Sequence, residues 1–176
     1  MNRITEIDSA LTETLIGFSK IAESLNFEVS GNIRNENLIN QHDYPGVYLV
    51  EIKNNTSFND FESWFNYFQY NWELPEYKKN WTPNTKKKRA EKHTSLGDWV
   101  PLYIGKSKRV SKRLLTHLNL KLEQPTTSLK LKARTNMNTE NFRFSTIKVD
   151  VTNYDIIMPM LEKSLRDKIN PILGRQ

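Results

Sequence analysis

The sequence predicts an α+β protein in which a small sheet of three strands is flanked by helices. Segments 45–52, 101–105 and 142–149 are rich in β-branched and aromatic residues, and the last of them alternates strictly between apolar and polar side chains. Before and between these strands, apolar residues recur at helical spacing. A chain of 176 residues suits one domain, or one domain with a sizeable insertion.

Composition excludes several classes of function. The chain has no cysteine and three histidines, so thiolate metal sites, cysteine nucleophiles and multi-histidine zinc sites are not expected. No apolar run reaches the length of a membrane span, and the first residues lack the apolar region of a signal peptide. We therefore expect a cytoplasmic protein without a membrane partner.

Charge is distributed unevenly along the chain. Residues 1–77 carry four basic and twelve acidic side chains, whereas residues 78–117 carry twelve basic and two acidic ones. Concentrated positive charge is typical of a surface that binds a polyanion, although an isolated lysine run is more often a solvated loop. Because the charge continues into the next helix at Arg113, the pattern favours nucleic acid.

The N-terminal segments are predicted from periodicity and turn signals. Residues 6–25 have the apolar spacing of a helix, and residues 27–31 suggest a short extended piece followed by a turn. Residues 34–43 are polar and rich in asparagine, which indicates a linker. In the first strand, alternation places one set of side chains (Tyr48, Val50, Ile52) on one face and another set (Val47, Leu49) on the opposite face.

The segment between the first two strands has two parts. Residues 58–72 predict a helix with an aromatic stripe, which is most often core or interface. The stripe consists of Phe61, Trp64, Phe65, Phe68 and Trp72. Residues 75–98 contain two prolines, a run of four basic residues and little periodicity, so they predict a long loop or a mobile arm.

The second strand and the helix after it contain the most informative residues. The strand ends in Tyr103 and Gly105, and the helix is predicted over residues 108–120. Because Arg109, Arg113 and His117 are spaced four apart, they are expected to lie along one stripe of this helix. A phenol facing a guanidinium and an imidazole can hold a phosphate and move a proton.

The C-terminal part contains the last strand and one more helix. Residues 123–140 are polar and carry few apolar anchors, and the third strand follows them. Asn153 or Asp155 is expected to cap a final helix that extends through Lys168, and Pro171 stops it.

These motifs, in this order, resemble the GIY-YIG nuclease superfamily. Gly46-Val47-Tyr48 matches the first motif with a conservative valine, and Tyr103-Ile104-Gly105 matches the second motif. Arg113 and His117 fall at the family's positions in the following helix, and Glu162 falls at the position of its metal-binding glutamate. Each tripeptide alone is weak evidence, because short motifs recur by chance, but the ordered combination is more specific.

The resemblance implies a mainly antiparallel sheet and a division of the chain. Residues 1–44 would be an N-terminal helical extension, and residues 45–176 would be the nuclease core. Family members usually place the two tyrosines about a hairpin apart, whereas 55 residues separate them here, which implies an insertion at 54–98. The family often has an asparagine after the glutamate helix, and the nearest amides here are Asn170 and Gln176.

The chemistry of the matched residues suggests a role for each. Arg113 would bind phosphate bidentately, rather than form an ordinary surface salt bridge. Glu162 would hold Mg²⁺ or Mn²⁺ together with phosphate oxygens and waters, whereas the alternative is an ion pair with Arg166 one helical turn later.

The tyrosines and the histidine would complete the pocket. In the family, the first tyrosine, Tyr48 here, is proposed to accept a proton from the attacking water, and Tyr103 would line the pocket. His117 would polarise a tyrosine or shuttle a proton. The alternatives are two core tyrosines and a structural histidine. Gly46 and Gly105 are expected to permit close backbone approach.

The predicted function is a divalent-metal-dependent DNA endonuclease of restriction or phage-defence type. Two alternatives stay open: a catalytically silent nucleic-acid-binding module, and a protein-interaction domain that uses the aromatic stripe. The stripe is also a candidate interface for a homodimer. Basic residues are expected to contact DNA phosphates, which gives affinity rather than sequence information. They are Lys78, Lys79, Lys86, Lys87, Lys88, Arg89, Lys106 and Arg109.

Overall fold

The computed structural model describes residues 2–54 and 58–174 and has an α+β architecture. No helix in these ranges has the length and apolar character needed to cross a membrane. Two single turns of 3-10 helix lie in the 123–140 segment. The helices are α1 (Arg3–Ser24), α2 (Glu36–Asn40), α3 (Phe61–Trp72), α4 (Lys87–Ala90), α5 (Val110–Asn119) and α6 (Tyr154–Ile169). The strands are β1 (Glu28–Asn32), β2 (Gly46–Lys53), β3 (Asn84–Thr85), β4 (Trp99–Ser107), β5 (Phe142–Lys148) and β6 (Leu173–Gly174).

The main sheet has four antiparallel strands in the order β1-β5-β2-β4, so the prediction of three strands is wrong. The added strand, β1, was predicted only as an extended piece. Its register on β5 shifts between Val29 and Gly31, and Gly31 has a φ of +146°, which few other residues adopt. The bulge interrupts the alternation that identifies a strand in a sequence.

The predicted division of β2 into two faces is confirmed. Tyr48, Val50 and Ile52 belong to a buried cluster that includes side chains of α3 and α5. Val47 and Leu49 belong to a second cluster, with side chains of α1 and α6. The sheet therefore separates two cores, and α5 and α6 pack on opposite faces of it.

The aromatic stripe of α3 is part of the first core. Its five side chains are between 2% and 8% exposed. The rings stack along the helix, with centroid distances of 5.4 Å for Trp64–Phe68 and 5.6 Å for Phe68–Trp72. The stripe is therefore not available as the interface that the protein-interaction hypothesis requires, and a homodimer would need another surface.

Two segments predicted to be irregular contain regular structure. Residues 34–43 include α2, whose first turn is capped by the Asn35 side chain, and Ile39 is fully buried. Residues 75–98 include β3 and α4, and β3 pairs with β6. The Trp72 indole N–H also donates to the carbonyl oxygen of Pro83 at 2.9 Å. The insertion is thus attached to the body rather than extended as an arm.

A buried arginine joins the insertion to the polar segment 123–140. The Arg134 guanidinium donates to the carbonyl oxygens of Trp72, Tyr77 and Leu129 at 3.0–3.3 Å. Its carbon lies 3.5 Å from the Trp72 ring centroid, in a cation–π contact. Burial lowers the pKa of Arg134 to about 9, so the side chain stays charged at neutral pH.

We predict that Arg134→Ala lowers the free energy of unfolding in urea by about 3 kcal/mol, because three buried carbonyl oxygens lose their donor. Arg3→Ala, at an exposed position of α1, serves as the control and should change stability by less than about 0.5 kcal/mol. Equal effects of the two substitutions would show that Arg134 does not hold these segments together.

Candidate active site

A cavity of about 190 Å³ opens beside the edge strand β4. Side chains from β2, β4, α5 and α6 meet there, although the chain separates them widely. Its polar lining consists of Tyr48, Tyr103, Lys106, Arg113, Glu162 and Arg166. Four of the five residues predicted to be catalytic therefore share one pocket, and the fifth, His117, contacts it from behind.

The hydroxyl oxygen of Tyr48 is the centre of the hydrogen bonds in this pocket. His117 Nε2 lies 2.9 Å from it, and Arg113 Nε donates to it at 3.3 Å. His117 Nδ1 accepts the backbone N–H of Leu129 at 3.0 Å, so the proton of a neutral imidazole must be on Nε2. Two N–H groups therefore point at the oxygen of Tyr48.

His117 is placed to contact Tyr48 and not to contact a molecule bound in the pocket. Its side chain is fully buried, and its ring lies 5.5 Å from that of Tyr48 and 5.0 Å from that of Tyr103. Because Nε2 already carries a proton and Nδ1 accepts from Leu129, the imidazole in this tautomer has no free nitrogen to receive one. The arrangement favours polarisation of Tyr48, not a proton shuttle.

Burial and the neighbouring residues shift the pKa values of Tyr48 and Arg113 in opposing directions. Burial raises the pKa of Tyr48, Tyr103 adds to that rise, and Arg113 acts against it. For Arg113, burial lowers the pKa, but the two tyrosines outweigh burial and raise it overall. Its Nη2 also donates to the carbonyl oxygen of Thr127 at 2.6 Å. In the free protein, Tyr48 is thus a neutral phenol beside a charged guanidinium.

The two motif glycines are required by close contacts. A Cβ atom at Gly105 would lie 2.2 Å from the hydroxyl oxygen of Tyr48. A Cβ atom at Gly46 would lie 2.3 Å from the carbonyl oxygen of Ile147 on the neighbouring strand. The first contact lets the Tyr48 ring lie over β4, and the second lets β2 pair with β5.

The position of Glu162 is compatible with both roles expected from the sequence, which are a metal ligand and an ion-pair partner of Arg166. Its carboxylate lines the pocket, and it also pairs with Arg166 Nη2 at 3.3 Å. No group of three acidic or histidine side chains suited to a metal lies in the described ranges. A lone carboxylate fits a hard cation that takes most of its ligands from water and phosphate, as Mg²⁺ does, and does not fit a cation that needs a full protein cage.

Two of the predicted DNA-binding arginines are engaged elsewhere. Arg109 precedes α5 instead of continuing its stripe, and it donates to both carboxylate oxygens of Asp43, at 3.0 and 2.7 Å. Hydrogen bonds from Arg109 and Ser111 lower the pKa of Asp43 to about 2. Arg89 donates to the carbonyl oxygen of Arg166 at 2.5 Å, so it stabilises the C-terminal end of α6.

The predicted lysines differ in how close they lie to the pocket. Lys106 lines it, and the stem of Lys86 lies against Gly174, another of its lining residues. Lys78 pairs with Glu73 at 3.3 Å. The side chains of Lys79, Lys87 and Lys88 are exposed, and within the described ranges none of these three forms an ion pair.

Sequence reasoning missed Arg166 as a pocket residue. Its spacing of four from Glu162 was a usable signal, but it indicated only a surface ion pair. Asn170, one of the two candidate amides, ends α6 with a left-handed φ of 54°, which asparagine tolerates well. Asn153 precedes α6 as expected, but its side chain makes no capping hydrogen bond. Gln176 lies outside the described residues.

Comparisons with protein-family models, with curated proteins and with solved structures found no match.

We predict that Gly105→Ala displaces the Tyr48 ring and lowers the free energy of unfolding by about 1–3 kcal/mol, as overpacking does. Loss of the Tyr48–His117 hydrogen bond should shift the imidazole resonances of His117 in NMR spectra. Gly97→Ala is the matched control, because its Cβ would meet nothing nearer than a carbonyl oxygen at 3.7 Å. Unchanged His117 resonances in Gly105→Ala would contradict the proposed contact.

Proposed function

We propose that this protein is a divalent-cation-dependent endonuclease of the GIY-YIG type that hydrolyses phosphodiester bonds in DNA. The observation that carries the proposal is the meeting of Tyr48, Arg113 and Glu162 in one pocket. A nuclease needs a group that handles the proton of the attacking water, a cation for the phosphate and a ligand for a metal ion. The three residues lie on β2, α5 and α6, and the fold brings them together in the combination that this chemistry requires.

Arg113 is the proposed phosphate-binding residue. Its guanidinium lines the pocket, stays charged, and is held by the carbonyl oxygen of Thr127. A preorganised cation loses little entropy when a phosphate enters, and it stabilises charge that develops on the phosphate oxygens. Lys106, on the neighbouring wall, adds a second positive charge.

Tyr48 is the proposed acceptor for the proton of the attacking water. Burial favours its neutral form in the free protein, and the N–H groups of His117 and Arg113 that point at its oxygen favour the phenolate. To act as the base, Tyr48 would first release its own proton to solvent, and the resulting phenolate would then accept the proton of the attacking water; the neutral phenol can instead donate a hydrogen bond to a phosphate oxygen. Glu162 would hold Mg²⁺ or Mn²⁺, which when bound supplies Lewis-acid polarisation of the phosphate.

We predict that the protein converts supercoiled plasmid to nicked or linear DNA in Mg²⁺, and that Glu162→Gln, Arg113→Lys and Tyr48→Phe each reduce the rate by about 100-fold or more. Arg113→Lys keeps the charge but removes bidentate pairing. Gel electrophoresis of the plasmid with time measures the rate.

Two matched variants control for charge and for loss of a phenol. Lys163→Gln changes an exposed charge next to Glu162 in sequence, and Tyr44→Phe removes a hydroxyl that contacts His42 and Thr146 rather than the pocket. Both should keep nearly full activity. Intact plasmid with every protein, including the wild type, together with salt-dependent DNA binding, would favour the catalytically silent binding module instead.

We also predict which basic residues contact DNA. Lys87→Ala and Lys88→Ala should each reduce the slope of log K against log salt by about 0.9, because each removes one phosphate contact. Arg89→Ala should leave the slope unchanged and lower the stability, because Arg89 binds α6. Fluorescence anisotropy with random-sequence duplex measures the slopes, and an altered slope for Arg89→Ala alone would contradict this assignment.

A further inference from the structure

We propose that Arg166 is an internal counter-ion of Glu162, which it must release before a divalent cation binds, so that cation and phosphate enter the pocket together. This inference rests on the proposed function, in which Glu162 is the protein's cation ligand. It adds a regulatory role for a residue that the proposed reaction does not use.

The geometry makes Arg166 a direct competitor for the carboxylate. Both side chains project from α6 one turn apart, and both line the pocket. Arg166 Nη2 lies 3.3 Å from Glu162 Oε1. Glu162 is the only acidic side chain of the pocket lining within the described ranges. A cation that binds the Glu162 carboxylate therefore competes with the Arg166 guanidinium for the same negative charge.

The charge of the pocket disfavours a free cation. Lys106, Arg113 and Arg166 face one carboxylate, that of Glu162. Coulomb repulsion from three positive groups raises the free energy of a divalent cation that enters alone. A nucleic-acid phosphate lowers this cost, because its oxygens neutralise the guanidinium groups and serve as ligands for the cation.

The Arg166 side chain can move while its backbone stays fixed. The carbonyl oxygen of Arg166 accepts from Arg89 Nη1, which holds this turn of the helix. The side chain itself is 38% exposed, and its buried Nε has no hydrogen-bond partner within the described structure. When Arg166 moves away from Glu162, only one long, partly exposed ion pair is lost. An incoming phosphate can then accept shorter, charge-assisted hydrogen bonds from the guanidinium.

The test is the binding of Mn²⁺ to DNA-free protein, measured as loss of the free-ion signal in electron paramagnetic resonance spectra. Arg166→Gln should bind Mn²⁺ about fivefold more tightly than the wild type, the effect expected from removing a partly exposed ion pair. Lys163→Gln loses the same charge at an exposed neighbouring position and should change the affinity by less than about twofold.

Two further variants keep the experiment decisive. Arg166→Met keeps the apolar stem in place and should behave like Arg166→Gln. The double variant Glu162→Gln with Arg166→Gln should lose the gain in affinity, because the gain comes from the carboxylate. With a phosphorothioate duplex of random sequence present, the difference between wild type and Arg166→Gln should shrink.

Equal or weaker Mn²⁺ binding by both Arg166 variants would overturn the counter-ion role. That result is distinguishable from failure of the proposed function, because wild-type protein would still cut plasmid. If instead the variants bind Mn²⁺ more tightly and no protein cuts plasmid, the counter-ion role stands and the nuclease proposal fails.

Discussion

The hydroxyl group of Tyr48 is the point on which the site depends. It is positioned by β2, it lies over Gly105 where no other residue fits, and it receives N–H groups from His117 and Arg113. Both donors are fixed in turn by backbone groups of residues 127–129. Residues 127–129, which have little regular structure, therefore determine the tautomer of His117 and the direction of the Arg113 guanidinium.

The pocket lies at the edge of the main sheet, between the two cores that cover its opposite faces. Tyr48 faces the core that α5 covers, whereas α6, which carries Glu162, covers the opposite face of the sheet. Groups from opposite faces of a sheet can meet beside an edge strand, and β4 is an edge strand of this sheet. The topology thus explains why the catalytic candidates converge there, and why their order along the chain does not show it.

Local patterns predicted most of the fold, and contacts between distant segments account for the errors. Strand β2 is recognisable by its β-branched and aromatic residues, although both of its faces are buried, and helix α6 is recognisable by the helical spacing of its apolar residues. Strand β1 is interrupted by the bulge before Gly31, and α2 is a single capped turn, so neither has enough periodicity to detect. Among the site residues, Arg166 was missed because spacing alone cannot show whether an ion pair lies on an open surface or in a pocket.

The insertion contributes to the site by holding α6 rather than by extending toward a ligand. Arg89 binds the last turn of the helix, and His93 Nε2 lies 2.8 Å from the carbonyl oxygen of Asn170 just beyond it. Strand β3 pairs with β6, which directly follows. These three contacts fix the C-terminal end of the helix that carries Glu162. The insertion therefore helps to fix the position of the carboxylate relative to Tyr48, which makes this segment part of the framework of the candidate site.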